Sequence, residues 1–411
     1  MERHERVIQA AIALRDELPG ILKQDWAEAD LGLASLIERA LLQGPAALAK
    51  EVIQWIDQWP ELRQRFDELL SGTWRGPTSA AGTASPDEGF STVKILYATD
   101  RKATGRKQAD DYFSGERETE NPLSFGQCTV SIPGIHERAK LESPLPFMKG
   151  DPRKHVLLLI LEPLSGDAFD DAARNPPDGH EAFIFIHGYN VTFADAVRRT
   201  AQLHYDLKFP GTPICFSWPS RGAYFSYAAD GASAEWSAPH LAELIRRLQA
   251  ADDKIRIHLI AHSMGNRPMT LALRELAWKK DPSSANLHEI ILAAPDIDLP
   301  VFNQLAEAIH GAAKRMTLYA SSNDRALWVS RLLHQGVRAG DSHPEVAIRD
   351  GIDSIDASDV DSSLLSLGHS YFATKLSILT DISEVMRIGT PVNRRGGLKA
   401  APSGKYWIMS R

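Results

Sequence analysis

The stretch that decides the fold is Ile257-His258-Leu259-Ile260-Ala261-His262-Ser263-Met264-Gly265-Asn266. An apolar run typical of a buried strand leads directly into the pattern Ala-x-Ser-x-Gly, and a helical pattern over 266–276 follows. In such a strand–serine–helix turn the serine sits on a sharp bend that exposes its hydroxyl above the sheet. Small residues two positions before and after the serine allow backbone to pass close to backbone. The pattern therefore predicts that Ser263 is a nucleophile.

A second apolar strand ends in a His-Gly turn, in the sequence Phe183-Ile184-Phe185-Ile186-His187-Gly188-Tyr189-Asn190. Enzymes that transfer acyl groups need backbone N–H groups directed at the oxyanion that develops on the substrate carbonyl. We expect the amide of Tyr189 to supply one donor of this oxyanion hole, and the amide of Met264 to supply the other. The side chain of His187 is expected only to pack within the turn.

The predicted nucleophile needs a histidine to accept its proton, and the histidine needs an acid to orient it. The usual chain order of serine, acid and histidine in sites of this kind requires a histidine that follows Ser263. His369 follows the last candidate strand and opens a helical run. This position favours His369 over His334 and His343, which fall in a loop-like region.

Two places after the serine offer the acid. Asp324 follows the candidate strand 315–319 and precedes His369 by one strand–helix unit. Asp296 and Asp298 follow the preceding candidate strand, 289–293, at a position where aspartates also form turns and cap helices. We favour Asp324 and keep Asp296 and Asp298 as alternatives.

An aromatic segment follows a further candidate strand, at 216–236. Trp218 and Tyr224 are the residues in it that we expect to bind substrate, by lining an acyl pocket. Sealing a long loop would explain its aromatic residues equally well.

From about residue 90 onward, strand patterns alternate with helical patterns, which predicts a mostly parallel central sheet with helices on both faces. Helical patterns over 193–207, 238–250 and 266–276 separate several of the strands. The candidate strands are 93–97, 155–161, 182–186, 213–216, 254–260, 289–293, 315–319 and 352–355.

The rest of the chain divides into three segments. Residues 1–72 carry apolar residues at helical spacing, which predicts a small all-α bundle that caps its neighbour or binds a protein partner. Residues 73–89 are rich in Gly, Ser, Thr, Ala and Pro, as flexible linkers are. The α/β domain would then span 90–386. Residues 387–411, with six basic and no acidic side chains, are expected to form a loosely ordered surface tail.

Composition narrows the classes of function. The formal net charge of −7 gives no reason to expect nucleic-acid binding, which usually needs a basic surface. Cys128 and Cys215 match neither a metal-ligand spacing nor a disulfide framework, so we expect no metal, no other cofactor and a cytoplasmic location. The longest strongly apolar run, 155–164, is too short to be a transmembrane segment, and the charged N-terminus lacks the apolar stretch of a signal peptide.

Together these motifs resemble the bacterial α/β-hydrolase family of unknown function, DUF900, from about residue 93 to 379. One departure is Asp100, where the resemblance leads us to expect asparagine. The resemblance implies an α/β-hydrolase fold with esterase- or lipase-like activity, and it supports the triad Ser263, Asp324 and His369. It does not reach the first 75 or so residues. The matching pieces lie at 97–101, 131–133, 185–190, 216–220, 261–266, 294–298, 319–324 and 368–372.

We therefore expect an α/β-hydrolase domain, preceded by a small helical bundle, that cleaves carboxylic esters of small molecules or lipids through an acyl-enzyme. One alternative uses the same triad. In it, the protein is a lipid-directed hydrolase or acyltransferase effector that its N-terminal helices, residues 1–72, recruit to a target.

Overall fold

The computed structural model describes residues 45–71, 89–144, 149–174, 180–221, 227–282, 287–322, 336–360 and 375–410, together with six isolated positions before residue 45. The chain divides into two compact units. One unit includes residues 45–71, and the other includes all described residues from 89 onward. Every candidate site residue that is described lies in the second unit.

Two helices are described in the first unit, α1 (Pro45–Ile56) and α2 (Pro60–Ser71). Each begins with proline, which is favoured at the first helical position because its missing N–H would have no partner there. Val52 and Leu62 are fully buried, as the helical spacing of apolar residues predicts. The helical prediction is confirmed over these residues. The full bundle remains a prediction, and the predicted linker lies, except for Gly89, outside the described residues.

The described part of the second unit contains a long series of strands. They are β1 (Phe90–Thr99), β2 (Arg101–Ala103), β3 (Phe113–Arg117), β4 (Ser124–Pro133), β5 (Leu158–Leu164), β6 (Glu181–Ile186), β7 (Thr212–Ser217), β8 (Arg256–His262), β9 (Leu287–Ala293), β10 (Arg315–Ala320), β11 (Ile352–Asp356), β12 (Leu398–Ala400) and β13 (Trp407–Met409). All the candidate strands predicted from the sequence are present, with ends that differ by a few residues.

Eleven of these strands form one sheet in the order β12-β13-β11-β10-β9-β8-β6-β7-β1-β4-β5. The neighbours from β1 through β7, β6, β8, β9, β10 and β11 to β13 pair in parallel. Antiparallel pairs β1–β4, β4–β5 and β12–β13 extend the two edges, and β2 pairs with β3 separately. The chain leaves β6 toward β7 on one side and returns as β8 on the other. This reversal is a topological switch point, where open α/β sheets bind ligands beyond the carboxyl ends of the strands.

Helices cover the sheet on both faces. Helices α4 (Phe193–Leu207) and α9 (Lys375–Ile388) pack on one face, against Phe183 and Phe185 of β6 and Ile260 of β8. Ile184 and Leu259, which alternate with these residues, are also fully buried, so the opposite face is covered too. The helices are α3 (Gly166–Arg174), α4 (Phe193–Leu207), α5 (Tyr227–Trp236), α6 (Ala238–Ala251), α7 (Asn266–Trp278), α8 (Leu299–Ala308) and α9 (Lys375–Ile388).

The basic C-terminal segment differs from its prediction as a loosely ordered tail. It forms β12 and β13, and β13 pairs in parallel with β11. The side chain of Arg395 has no exposed surface and forms ion pairs with Asp353 at 3.2 Å and Asp381 at 3.4 Å. The expectation of a loose tail was wrong because this buried guanidinium, together with Met409, anchors the segment to the sheet.

The loop after β4 is held to α4 through one imidazole. Nδ1 of His136 lies 2.8 Å from a carboxylate oxygen of Glu142, and Nε2 lies 2.9 Å from one of Asp206. Burial would lower the pKa of His136, but these hydrogen bonds to Asp206 and Glu142 raise it to about 9. Because each ring nitrogen faces an acceptor, the imidazole is held in its doubly protonated form.

No helix in the described part of the chain is long and apolar enough to cross a membrane.

Candidate active site

Three adjacent strands of the sheet, β6, β8 and β9, are each followed by a residue in the left-handed backbone region. These are Asn190 with φ of 59°, Ser263 with φ of 50° and Ala294 with φ of 44°. Left-handed backbone costs a non-glycine residue about 1–2 kcal/mol and persists only where the surrounding structure enforces it. Strain of this kind concentrates at functional sites, and here it marks the carboxyl edge of the sheet at the switch point.

Ser263 occupies the sharp bend that the sequence predicts. Strand β8 ends at His262, a 3-10 turn covers Ser263–Gly265, and α7 begins at Asn266. Pro268 is consequently the third residue of α7, within the first turn, where backbone N–H groups have no partner inside the helix. A Cβ on Gly265 would stand 2.4 Å from the carbonyl oxygen of His187, which is why this position requires a residue without a side chain.

Asn266 holds the serine turn in place. Its Nδ2 donates to the carbonyl oxygen of Ser263 at 3.0 Å, and to those of Ala261 and Ala293 at 3.3 Å each. The backbone N–H of Asp296 also donates to the Ser263 carbonyl, at 3.1 Å. The turn is therefore tied to the end of its own strand and to the segment that follows β9.

The predicted oxyanion turn lies directly beside the serine. A Cβ added to Gly188 would be 3.3 Å from Cβ of Ser263, so the backbone that leads into Tyr189 passes against Ser263. Met264, the other predicted donor, is fully buried in the 3-10 turn. The structure thus brings Ser263, Tyr189 and Met264 together at one place.

Trp218 and His187 form a buried stack behind this turn. Their ring centroids are 4.9 Å apart with planes 11° from parallel, and Nε1 of Trp218 donates to the carbonyl oxygen of His187 at 2.7 Å. Burial, with the nearby charge of Arg101, lowers the pKa of His187 well below its usual range, so the imidazole is neutral. Trp218 has no exposed surface. These contacts favour a role for Trp218 in holding the turn, and they confirm His187 as a residue that packs within it.

Arg101 is a central residue of the site that sequence reasoning missed. Its side chain is fully buried, and burial lowers the pKa of Arg101 to about 10. The only signal in the sequence was its place in the Thr-Asp-Arg motif directly after β1. The guanidinium contacts Ser114 O at 3.2 Å, His187 Nε2 at 3.3 Å, Val191 O at 2.7 Å, Ser217 Oγ at 2.8 Å and Ser220 O at 2.8 Å.

The two alternative acids both have structural partners. The carboxylate of Asp298 caps α8 by accepting a hydrogen bond from the N–H of Val301. The buried carboxylate of Asp296 accepts a hydrogen bond from the hydroxyl of Tyr227. It also forms ion pairs with Arg267 at 3.4 Å and Arg338 at 3.5 Å. These contacts account for both aspartates without a catalytic role.

Several predicted site residues lie outside the described residues, namely Asp324, His369, His334 and Tyr224. His343 is described, and it is exposed in the segment after Asp341. Strand β10, which Asp324 follows in the chain, lies two positions from β8 and parallel to it, so its carboxyl end is at the same edge of the sheet as Ser263.

Two further features bear on ligands. A cavity of about 400 Å³ lies beside β3 and α5, lined by Gly115, Glu116, Arg117, Arg221, Ala229 and Ser233. Among the described residues, no group of three or more histidine, cysteine, aspartate or glutamate side chains could hold a metal ion.

This chain is similar to two individual proteins and, as described below, to one family of proteins. An uncharacterized protein, alr1448, of Nostoc sp. is 41% identical over 119 residues, which covers 23% of this chain and 31% of the relative. The chain thus spans about a third of the length of that relative. Among solved structures, Trichoderma reesei cutinase in complex with a C11Y4 phosphonate inhibitor is 13% identical with a TM-score of 0.22. That similarity covers 53% of this chain and 82% of the cutinase.

A family model described as "Alpha/beta hydrolase of unknown function (DUF900)" matches residues 172–387, which is more than half of the chain. The matched region includes the switch point, the left-handed serine and the turn beside it. The chain belongs to this family of α/β hydrolases.

Proposed function

We propose that this α/β hydrolase cleaves carboxylic esters through an acyl-enzyme formed on Ser263, with Asp324 and His369 completing the triad. The observation that carries the proposal is the left-handed backbone conformation of Ser263 at the switch point, where Gly188 lies close to the Cβ of Ser263. A serine held on such a bend exposes its hydroxyl above the sheet, beside backbone amides able to receive an oxyanion. The carboxylates of Asp296 and Asp298 already form ion pairs or hydrogen bonds with other residues, which supports Asp324 as the acid.

In the proposed reaction, Oγ of Ser263 attacks the ester carbonyl carbon while His369 accepts the hydroxyl proton. The N–H groups of Tyr189 and Met264 donate to the resulting oxyanion. When the tetrahedral intermediate collapses, the C–O bond to the alcohol breaks and the proton on His369 passes to the departing alcohol. Water then attacks the acyl group, gives its proton to His369, and releases the carboxylic acid as the proton returns to Ser263.

The substrate is proposed to be a small-molecule or lipid ester. Tyr224 remains a proposed wall of the acyl pocket. Trp218 would act on the substrate indirectly, because its buried indole supports the His187 carbonyl in the turn before Tyr189. Transfer of the acyl group to an alcohol other than water would use the same steps, and would appear as ester exchange when that alcohol is added.

The proposal is tested with a fluorophosphonate probe and a series of p-nitrophenyl esters of graded chain length. We expect the wild type to be labelled and active. Ser263→Ala should be unlabelled, with kcat lowered by about 10⁶, because triad members act as one unit. Ser131→Ala is a matched control, since this buried serine lies in β4 and its hydroxyl donates to the backbone carbonyl of His155. Labelling of Ser263→Ala at wild-type strength would show that another residue is the nucleophile.

A further inference from the structure

The turn that carries Tyr189 is fixed at both of its ends. At the first end, Nδ1 of His187 donates to the carbonyl oxygen of Gly188 at 2.7 Å, while Nε2 accepts a hydrogen bond from the Arg101 guanidinium at 3.3 Å. The other end is Val191, whose carbonyl oxygen accepts from Nη2 of Arg101 at 2.7 Å. Arg101 therefore holds the residues on both sides of Tyr189.

A second segment completes this arrangement. The N–H of Val191 donates to Oγ of Ser220 at 3.2 Å, and the carbonyl oxygen of Ser220 accepts from Nη1 of Arg101 at 2.8 Å. The Ser220 hydroxyl in turn donates to the buried carboxylate of Asp230 at 2.6 Å. Both backbone groups of Val191 are thus bonded, and one guanidinium fixes the loop after β6 to the loop after β7.

We propose that Arg101 is a positioning residue that sets the direction of the Tyr189 N–H toward the oxyanion. This inference rests on the proposed function. Asn190, between Tyr189 and Val191, has left-handed backbone, which the contacts of Val191 and a hydrogen bond from the Asn190 N–H to Asp230 hold in place. If the contacts of Val191 were lost, the backbone around Asn190 could rotate and turn the Tyr189 N–H away from the oxyanion. The N–H would then lie outside the distance of 2.7–3.1 Å at which a donor stabilises an oxyanion. The planar guanidinium is required because it presents several donors in a fixed geometry, which a lysine ammonium does not.

The experiment compares Arg101→Lys with Arg395→Lys. Arg395 is an equally buried arginine that bonds to Thr317, Asp353 and Asp381, near the amino ends of β10 and β11 and away from the serine edge. Both variants lose a buried bonding network, so both should lower the melting temperature. Kinetics are measured below both melting temperatures on the p-nitrophenyl ester that the wild type hydrolyses fastest. Affinity for a reversible trifluoromethyl ketone, which forms an oxyanion on the serine, is measured in parallel.

We expect Arg101→Lys to lower kcat by about 10²-fold, the loss seen when one oxyanion donor is removed, with little change in KM. Ki for the ketone should rise by the same factor, because the bound inhibitor carries an oxyanion that the same N–H groups must stabilise. Arg395→Lys should leave kcat and Ki at wild-type values. Ser220→Ala, which frees the Val191 N–H while keeping the buried charge, should move kcat and Ki together in the same direction by a smaller factor.

Wild-type kcat and Ki in a folded Arg101→Lys variant would overturn the inference. If Arg101→Lys does not fold, Ser220→Ala decides, and unchanged kcat and Ki in it would equally overturn the inference. A wild type that neither hydrolyses esters nor binds the ketone would refute the proposed function instead, so the two failures are distinguishable.

Discussion

Replacing Gly265 by alanine tests the close approach of β8 and β6 on which the site depends. The new methyl carbon would stand 2.4 Å from the carbonyl oxygen of His187 and 2.5 Å from that of Ile186. Carbon–oxygen contacts in folded proteins begin at about 3.3 Å, so the two segments must separate by about 0.9 Å. Both obstacles are backbone atoms at the end of a strand, which cannot rotate away as a side chain could.

Two effects of Gly265→Ala follow from that separation. Overpacking a well-filled interior usually lowers the free energy of unfolding by about 1–3 kcal/mol. The same movement carries the amide of Met264 away from the turn of Tyr189, so the two donors can no longer meet on one oxyanion. Loss of one donor costs about 10²–10³ in kcat, and we expect a decrease of about 10².

The assay for Gly265→Ala measures kcat and KM on a p-nitrophenyl ester and the free energy of unfolding in urea. The control is Gly396→Ala, because no atom lies within 4 Å of a Cβ at that position and its backbone is not left-handed. This control should match the wild type in both measurements. If Gly265→Ala hydrolyses the ester at the wild-type rate and is as stable as the control, the strand ends are not as close as described.

Two other predictions concern the acid and the imidazole of the β4 loop. Asp324→Asn should lower kcat by about 10⁴, because the amide favours the wrong histidine tautomer. Asp296→Asn and Asp298→Asn should lower kcat far less, and a reversed ranking would place the acid after β9. The raised pKa of His136, about 9 against about 6.5 unfolded, contributes about 3 kcal/mol of stability. That stability is complete below pH 6.5 and is lost as pH rises through 9. Urea unfolding from pH 6 to 10 should show the loss, which His136→Gln should lack.

The parallel strands could be predicted from sequence because they are buried on both faces. Every residue of β6 and β7 is buried, which produces continuous apolar runs that stand out from their surroundings. Strand β4 has a mixed pattern of buried and half-buried residues, including Gln127 and Thr129, and the sequence analysis did not identify it. A strand with polar side chains among its apolar ones gives no continuous apolar run, so only its pairing with β1 and β5 identifies it.

The serine turn could be predicted because its chemistry is local, whereas the role of Arg101 could not. Ser263, Gly265 and the preceding strand are contiguous, and the bend requires their size and order. Arg101 reaches residues between 13 and 119 positions away along the chain. An arginine is almost never fully buried unless it is paired, so its type alone indicates an exposed residue. Its burial follows from the meeting of β3 with the loops after β6 and β7, which only the tertiary structure shows.

Left-handed backbone at Ser263 distinguishes this residue from the other serines that the structure describes. At left-handed turns such as those at Gly311 and Gly351 the chain has glycine, which adopts positive φ without steric cost. A serine in that conformation costs about 1–2 kcal/mol, which the burial of a single side chain such as Leu259 of β8 can offset. Glycine would remove the cost but would also remove the hydroxyl. The proposed role of Ser263 as nucleophile requires that hydroxyl, so the proposal accounts for the cost.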